Sequence, residues 1–586
     1  MSRPGPWFAL VAVLIAGLLL LGPVLAHSTT HVLGTWDSEA SWHLWRHAAW
    51  LRTFATEGPW LRLHETGLRD PGEANLSPAT TLLGWPAYRI AGGGIAGVAF
   101  AWNVLYAMVF ASAVAGTWSL VRAWWPEDDT RMAAAAATTI VAFGAFLHQT
   151  PGVGRQENII QFLWPLHLAF LYRATVRPGR KFDLPLAAGT FALLTMQGGF
   201  PALFTAIVEV PAALWCLAQA GDRKRAFGQL AVVAGVGALA LYPWVHTNRL
   251  YPPPSLLVGR SGIISVPLAQ LLPGGADVPF ARGWHEAPYP GFVALLAAIG
   301  AAVVHRSSRF WLLLAGAVML LMIGPEARWT IDSPVLAEMP VTWLERLPGW
   351  SIPSTGWARL GTFVPTLLVL AIAPALVGRP RIAALVACLA VADQVLYLRS
   401  VPETETSWEL ALPAGLGDPD VPSVWLPFDE RGLAWLHAAD GDMRRYPFSQ
   451  QGELTTLRWV DDVLPGTPEG FRQKNRAPLE AGSPSPGCVA RDAGVLADAG
   501  FGRIVLLRDH GDATEVERVL RAGLGDPVAD TDRGAAWTLV PAPDALCEVA
   551  IGPAPRRERG ENERPKHAGG GKRQGRGRRR EGGGGG

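Results

Sequence analysis

Two carboxylates stand two residues apart in the segment Gly34-Thr35-Trp36-Asp37-Ser38-Glu39, which follows the first long apolar run of the chain. A carboxylate at the level of the lipid head groups, among tryptophan rings that lower the local dielectric, can act as a general base on an acceptor hydroxyl group. The structural alternative makes Asp37 the N-cap of a helix and places Glu39 in its positive first turn. The two interpretations are compatible, and the pattern alone does not choose between them.

The same segment offers a candidate metal site. Glu39, His43 and His47 follow an i, i+4, i+8 spacing, which places all three on one helix face, as metal ligands often are. Histidines near a membrane interface can equally be surface groups in ordinary hydrogen bonds. A divalent metal ion is therefore the one candidate cofactor, and the sequence indicates no other.

Further charged and aromatic residues occur in later polar loops. An arginine suits a phosphate because its planar group donates two parallel hydrogen bonds, although an arginine beside a glutamate can also form a plain salt bridge at the start of a helix. The candidate donor-phosphate ligands are Arg155, Arg260 and Arg282, and the candidate acceptor contacts are His43, Glu157, His285, Glu286 and Tyr289.

The elements that must position these residues are membrane helices. Of 586 residues, 49% are hydrophobic and only 17% are charged, against about 25% charged residues in an ordinary soluble protein. The apolar residues form runs of bilayer-spanning length, and many of the 25 tryptophans stand at the ends of these runs, where their rings suit the head-group region. A soluble globular enzyme is therefore excluded in favour of a polytopic membrane protein.

We predict eleven spans, and the loops after the fourth, sixth, eighth and tenth are rich in lysine and arginine, which marks them as cytoplasmic. The N-terminus is then cytoplasmic, and the loops at 27–96, 150–157, 247–287 and 325–358 face outward. The predicted spans are 7–26, 97–121, 132–149, 158–173, 184–197, 201–218, 227–246, 288–304, 310–324, 359–377 and 382–398.

Three domains follow from the change in composition near residue 400. Residues 1–399 form the transmembrane domain with its large first outer loop, and 400–552 form an extracytoplasmic α/β domain. Short apolar runs at 424–426, 504–507 and 536–540 predict buried strands of that domain, and 490–499 and 513–523 are predicted helices. Within that domain, Cys488 and Cys547 can form a disulfide in an oxidising compartment or remain two separate buried thiols. Residues 553–586 carry eleven Lys/Arg against four Glu and many glycines, a composition that predicts a disordered tail.

Several function classes lack support. The basic residues cluster in the tail rather than on a folded face, so nucleic-acid binding is set aside. The sequence contains no Walker A, G-x-S-x-G or H-E-x-x-H motif, which removes the usual signatures of ATP-driven transport and of common hydrolases. The spans contain few ionisable groups, with Glu209 as the main exception, so a secondary transporter ranks last.

In its order of motifs, the chain resembles the polytopic GT-C-type glycosyltransferases, in particular the YfhO-like bacterial membrane proteins, over residues 1 to about 550. The resemblance rests on the acidic motif after the first span, the turn at 154–157 before Trp164-Pro165-Leu166, the segment Glu286…Tyr289-Pro290-Gly291, and Leu347-Pro348-Gly349-Trp350 with Arg359 before the tenth span. The acidic motif is Asp-x-Glu rather than two aspartates.

This resemblance implies a GT-C-like fold and a multi-pass protein of the cytoplasmic (inner) membrane. It implies a hexosyl- or pentosyltransferase that moves a sugar from a polyprenyl-phosphate donor to an envelope glycan, lipid or protein, with membrane lipid as its surroundings. Asp37 would be the catalytic base, and Glu39 would position the acceptor or a divalent metal. The alternative is a non-catalytic membrane protein that binds polyprenyl lipid or scaffolds envelope assembly.

Overall fold

The computed structural model describes residues 5–34, part of 44–55, 78–125, 130–148, 159–250, 266–275, 289–345, 354–401, 407–410, 416, 421–426, 486–498, 501–508 and 513–541, with gaps of one or two residues inside several of these ranges. Thirteen helices precede residue 401 in this described part. They are α1 (Gly5–Leu25), α2 (Pro78–Ile90), α3 (Gly94–Trp124), α4 (Arg131–Ala142), α5 (Trp164–Thr175), α6 (Asp183–Met196), α7 (Gly199–Gln219), α8 (Arg223–Leu250), α9 (Phe292–Val304), α10 (Arg306–Met322), α11 (Pro340–Glu345), α12 (Val364–Leu376) and α13 (Pro380–Ser400).

A helix lies in each of the eleven predicted spans, because each apolar run satisfies its backbone internally as helix. Within the described residues, six helical segments are long and apolar enough to cross a membrane. The helices at Arg131–Ala142, Asp183–Met196 and Phe292–Val304 are apolar but shorter. The predicted fold class, a helical polytopic domain followed by a small α/β domain, is confirmed.

Hydrogen bonds join segments of the predicted outward loops in two places. The backbone N–H of Val266 donates to the carbonyl of Ile323 at 2.8 Å, and that of Leu268 donates to the carbonyl of Arg328 at 2.8 Å. The backbone N–H of Ala79, at the start of α2, donates to the side-chain oxygen of Gln197 at 2.9 Å. The loops at 247–287 and 325–358 are therefore in direct contact, and loop 27–96 contacts the end of the predicted fifth span.

Two pairs of short strands form, one between loop 27–96 and the segment after α13, and one within loop 325–358. Strand β1 (His31–Leu33) pairs antiparallel with β4 (Ser407–Glu409), and β2 (Glu326–Ala327) pairs antiparallel with β3 (Ala337–Glu338). The sequence analysis predicted neither pair, since segments of two or three residues show no alternation that a pattern can detect.

Helix α3 makes an unusually close approach to α5 at Gly116. A Cβ atom built on this glycine would lie 2.3 Å from the backbone nitrogen and 2.7 Å from the Cα of Leu166. Those atoms belong to the main chain at the start of α5 and cannot swing aside. Only a glycine hydrogen fits, so Gly116 sets the distance between the two helices.

The C-terminal domain is built on a four-stranded sheet in the order β5-β6-β8-β7, formed by β5 (Ser423–Leu426), β6 (Arg503–Leu507), β7 (Ala529–Thr531) and β8 (Gly534–Thr538). Helices α14 (Pro486–Asp498) and α15 (Ala513–Leu524) complete it. Its core includes Ile504, Leu506 and Trp537, all essentially buried. Both helices and three of these strands were predicted, whereas the short β7 was not, and together they confirm the small α/β part of the predicted fold class. The side chain of Cys488, the whole of Cys547 and the tail lie outside the described residues.

A network of charges ties α15 to the sheet of this domain. The guanidinium of Arg508 donates to Glu517 and to Asp530, each at 2.7 Å, and Arg521 also bonds both carboxylates. Hydrogen bonds from Arg508 hold the pKa of Glu517 below its ordinary value. A carboxylate with a lowered folded-state pKa adds stability above its ordinary pKa of about 4.3, and this contribution is lost as the pH falls.

We therefore expect the C-terminal domain to loosen in acid. Hydrogen exchange of β6 and β8 in the full-length protein should accelerate between about pH 5 and pH 3, after correction for the intrinsic exchange rate. Replacing Arg508 with glutamine should flatten this dependence, because Glu517 then loses the partner that lowers its pKa. An unchanged pH profile in Arg508→Gln would show that the network does not carry the effect.

Candidate active site

The strand that leads into the acidic motif is fixed to the membrane domain by side chains of α3. The indole N–H of Trp102 donates to the carbonyl of Leu33 at 2.8 Å. The amide oxygen of Asn103 accepts the N–H of Leu33 at 3.1 Å, and its amide nitrogen donates to the carbonyls of Ser28 and His31 at 3.1 and 2.7 Å. The chain therefore leaves the membrane domain at a defined point.

This anchor limits where the acidic motif can lie. Asp37 stands four residues after Leu33, and four residues span at most about 14 Å when fully extended. Leu33 and Trp102 are both buried in the main core, so the last residues described before the acidic motif belong to that core. Asp37, Glu39 and His43 themselves lie outside the described residues, so their roles stay predictions.

His47, the third residue of the candidate metal site, is buried in the core. Its ring lies 6.0 Å from that of Trp102, centroid to centroid, and a Cβ on Gly84 would come within 3.2 Å of its Nε2 atom. Within the described part of the chain, neither ring nitrogen has a hydrogen-bond partner. Burial lowers the pKa of His47 to about 3, so the imidazole is neutral at physiological pH.

A neutral buried imidazole with free nitrogen atoms is the form that binds a metal. It also argues against His47 being an exposed, solvent-bonded histidine of the interface. Among the residues that the structure describes, no three His, Cys, Asp or Glu side chains form a group that could hold a metal ion. Because Glu39 and His43 are not among them, the metal site stays a prediction.

Tyr289 belongs to a polar cluster at the start of α9. Its hydroxyl donates to the carboxylate of Asp393 on α13 and accepts the backbone N–H of Phe292 at 3.0 Å. The same carboxylate accepts the N–H of Val293 at 3.2 Å, which caps the N-terminus of α9. Tyr289 therefore helps to hold two helices together, and its predicted contact with an acceptor stays a prediction.

The remaining predicted site residues cannot be placed. Arg155, Glu157, Arg260, Arg282, His285 and Glu286 lie outside the described residues. The structure does describe Arg328 of the outward loop 325–358 and Arg359, which directly follows that loop. Arg328 pairs with Glu326 at 2.7 Å, whereas Arg359 is buried at the end of a 3-10 helix that leads into α12.

Sequence reasoning singled out Glu209 as an ionisable group within a span, but it did not detect the partners that bind it inside the bundle. Glu209 on α7 accepts the indole N–H of Trp164 at 2.9 Å and lies 3.1 Å from Nε2 of His167. Nδ1 of His167 lies 3.0 Å from the carbonyl of Ala187, which can only accept, so Nδ1 carries a proton.

We expect Glu209→Gln to fold normally, because its amide can donate to His167 and its carbonyl can accept from Trp164. Glu209→Leu leaves both partners unsatisfied inside the bundle and should destabilise the protein by about 3–5 kcal/mol. Thermal unfolding of the two variants in lipid nanodiscs measures the difference. Equal unfolding midpoints would show that the network does not stabilise the bundle.

Comparison with known proteins gives likeness of structure alone. No family model matches the chain, and no curated protein matches it. The archaeal oligosaccharyltransferase AglB from Archaeoglobus fulgidus, in complex with an inhibitory peptide and a dolichol-phosphate, aligns over 86% of this chain and 69% of its own, at 14% identity and a TM-score of 0.48. ArnT from Cupriavidus metallidurans in the apo state aligns over 92% of this chain and 99% of its own, at 14% identity and a TM-score of 0.40. Identities and TM-scores this low carry no argument about activity.

Proposed function

We propose that this chain is an integral membrane glycosyltransferase that moves a sugar from a polyprenyl-phosphate donor to an acceptor outside the cytoplasm. The observation that supports it is the anchoring of β1 by Trp102 and Asn103. In this proposal, the anchored strand starts the acidic segment at the end of the membrane bundle that the head group of a lipid-linked substrate would reach.

In the proposed reaction, Asp37 accepts the proton of the acceptor hydroxyl as the oxygen attacks the anomeric carbon of the sugar. The bond between that carbon and the phosphate oxygen breaks, and the polyprenyl phosphate leaves. Arg155, Arg260 and Arg282 are the proposed groups that stabilise the charge developing on the phosphate. Glu39 is proposed to position the acceptor or a divalent metal ion.

The proposal is tested by comparing cells with and without the gene. We expect mass spectrometry of the deletion strain to show loss of one envelope glycan and accumulation of one polyprenyl-phosphate sugar, with both changes reversed by the wild-type gene. Wild-type levels of every lipid-linked sugar and every envelope glycan in the deletion strain would refute the transferase activity.

A further inference from the structure

We propose that the C-terminal domain positions the acidic segment, through the pairing of β4 with β1. This inference rests on the proposed function and gives the C-terminal domain a role in it. The pairing itself is a structural observation: His31 lies opposite Glu409, Val32 opposite Trp408, and Leu33 opposite Ser407.

Strand β1 is too short to hold its place by itself. It has three residues, and an isolated pair of strands is only marginally stable in water. Two attachments compensate for this. One is the set of bonds from Trp102 and Asn103, and the other is β4, which belongs to the start of the C-terminal domain and brings the buried Leu410 against the core.

The two attachments act on different parts of β1. The side chains of α3 bond the two ends of the strand, whereas β4 runs along its length and continues the pairing through the N–H of Leu410, which donates to the carbonyl of Thr30 at 2.7 Å. Together they fix both the place and the direction of the chain at Leu33. Asp37 stands four residues further along the chain, so we propose that this fixed exit sets its position.

The register identifies which backbone groups make the pairing. In an antiparallel pair, hydrogen-bonded and non-hydrogen-bonded positions alternate. Thr30 and Leu410 occupy a hydrogen-bonded position, because the N–H of Leu410 donates to Thr30. Two residues further along, Val32 and Trp408 occupy the next hydrogen-bonded position. His31 and Glu409 lie between them at a position without hydrogen bonds across the pair. The N–H of Trp408 therefore points at β1, whereas the N–H of Glu409 points away from it.

This alternation supplies a matched test. Trp408→Pro removes the backbone N–H that donates to β1. Glu409→Pro removes a backbone N–H that does not donate to β1. Trp408→Ala removes the side chain of Trp408 but keeps its backbone N–H. We expect Trp408→Pro to accelerate hydrogen exchange at residues 31–34 and to lower kcat on the order of 10²-fold, with KM for donor and acceptor unchanged. Trp408→Ala and Glu409→Pro should keep near wild-type kcat.

A cross-strand disulfide provides the rescue. His31 and Glu409 occupy a non-hydrogen-bonded pair, in which the Cα atoms are about 4.5 Å apart, a distance that suits a disulfide. We therefore add His31→Cys and Glu409→Cys to the Trp408→Pro variant. Under oxidising conditions the disulfide should restore kcat, and reduction of the disulfide should lower kcat again. A role limited to general stability would not give this reversible recovery.

The outcomes separate this inference from the proposed function. If Trp408→Pro accelerates exchange in β1 while kcat stays at the wild-type value, the positioning role is wrong and the transferase stands. If exchange in β1 does not change, the pairing with β4 does not hold the strand, and the inference is also wrong. If the wild-type protein transfers no sugar, the proposed function fails, whatever the exchange data show.

Discussion

Replacing Asp37 with asparagine is expected to lower the rate of sugar transfer by about 10²–10⁴-fold, the usual contribution of a general base. Asparagine has nearly the same size and can still cap a helix, but its amide oxygen cannot take up the proton of the acceptor. In cells, the variant should therefore lose the same glycan as the deletion strain and accumulate the same lipid-linked donor.

The measurement needs equal amounts of protein in the membrane and a control with the same chemical change elsewhere. Asp532→Asn serves this purpose, because Asp532 is exposed in the turn between β7 and β8. It should leave the glycan and donor pools at wild-type levels. A normal glycan pool in Asp37→Asn cells, beside a clear defect in the deletion strain, would remove Asp37 as the base and favour a non-catalytic role in envelope assembly.

A large effect on folding is also expected from Gly116→Ala. The added methyl group would lie 2.3 Å from the backbone nitrogen of Leu166, so α3 and α5 must separate. Overpacking of a core usually costs about 1–3 kcal/mol and occasionally more, and a clash with backbone places this variant at the upper end. We expect a strongly reduced yield of monodisperse protein and a lower unfolding temperature.

Gly235 gives the matched control for this prediction. It lies on α8, and a Cβ built there would meet no atom within 4 Å. Gly235→Ala should be neutral or slightly stabilising, because alanine favours a helix by up to about 1 kcal/mol over glycine. Size-exclusion profiles and thermal unfolding of the two variants, expressed side by side, make the comparison. Similar behaviour of both would show that the two helices can move apart without cost.

Much of the helical architecture was predictable from sequence because a membrane imposes one strong rule. A segment in hydrocarbon must satisfy its backbone internally, so each long apolar run becomes a helix, and the basic loops give the alternation of ends. The strand runs near 424, 504 and 536 were equally clear, because they are buried, β-rich and bounded by turns.

Details that depend on contacts between distant segments were not predictable. One alternative from the sequence made His47 a surface group of the membrane interface, whereas the structure buries it against Trp102. The sequence singled out Glu209, but only the packing of α5 and α7 shows that Trp164 and His167 satisfy it. The pairing of β1 with β4 joins segments separated by almost the whole membrane domain.

The same pairing also imposes an order on the biogenesis of the protein. The ribosome makes the acidic segment early, directly after the first membrane helix, but it makes β4 only after the last one. Chains are synthesised from the N-terminus at about 5–20 residues per second, so β1 waits for its partner while the intervening helices insert. A nascent chain that stops before β4 carries every membrane helix and the acidic segment, yet its first strand lacks the partner that completes it.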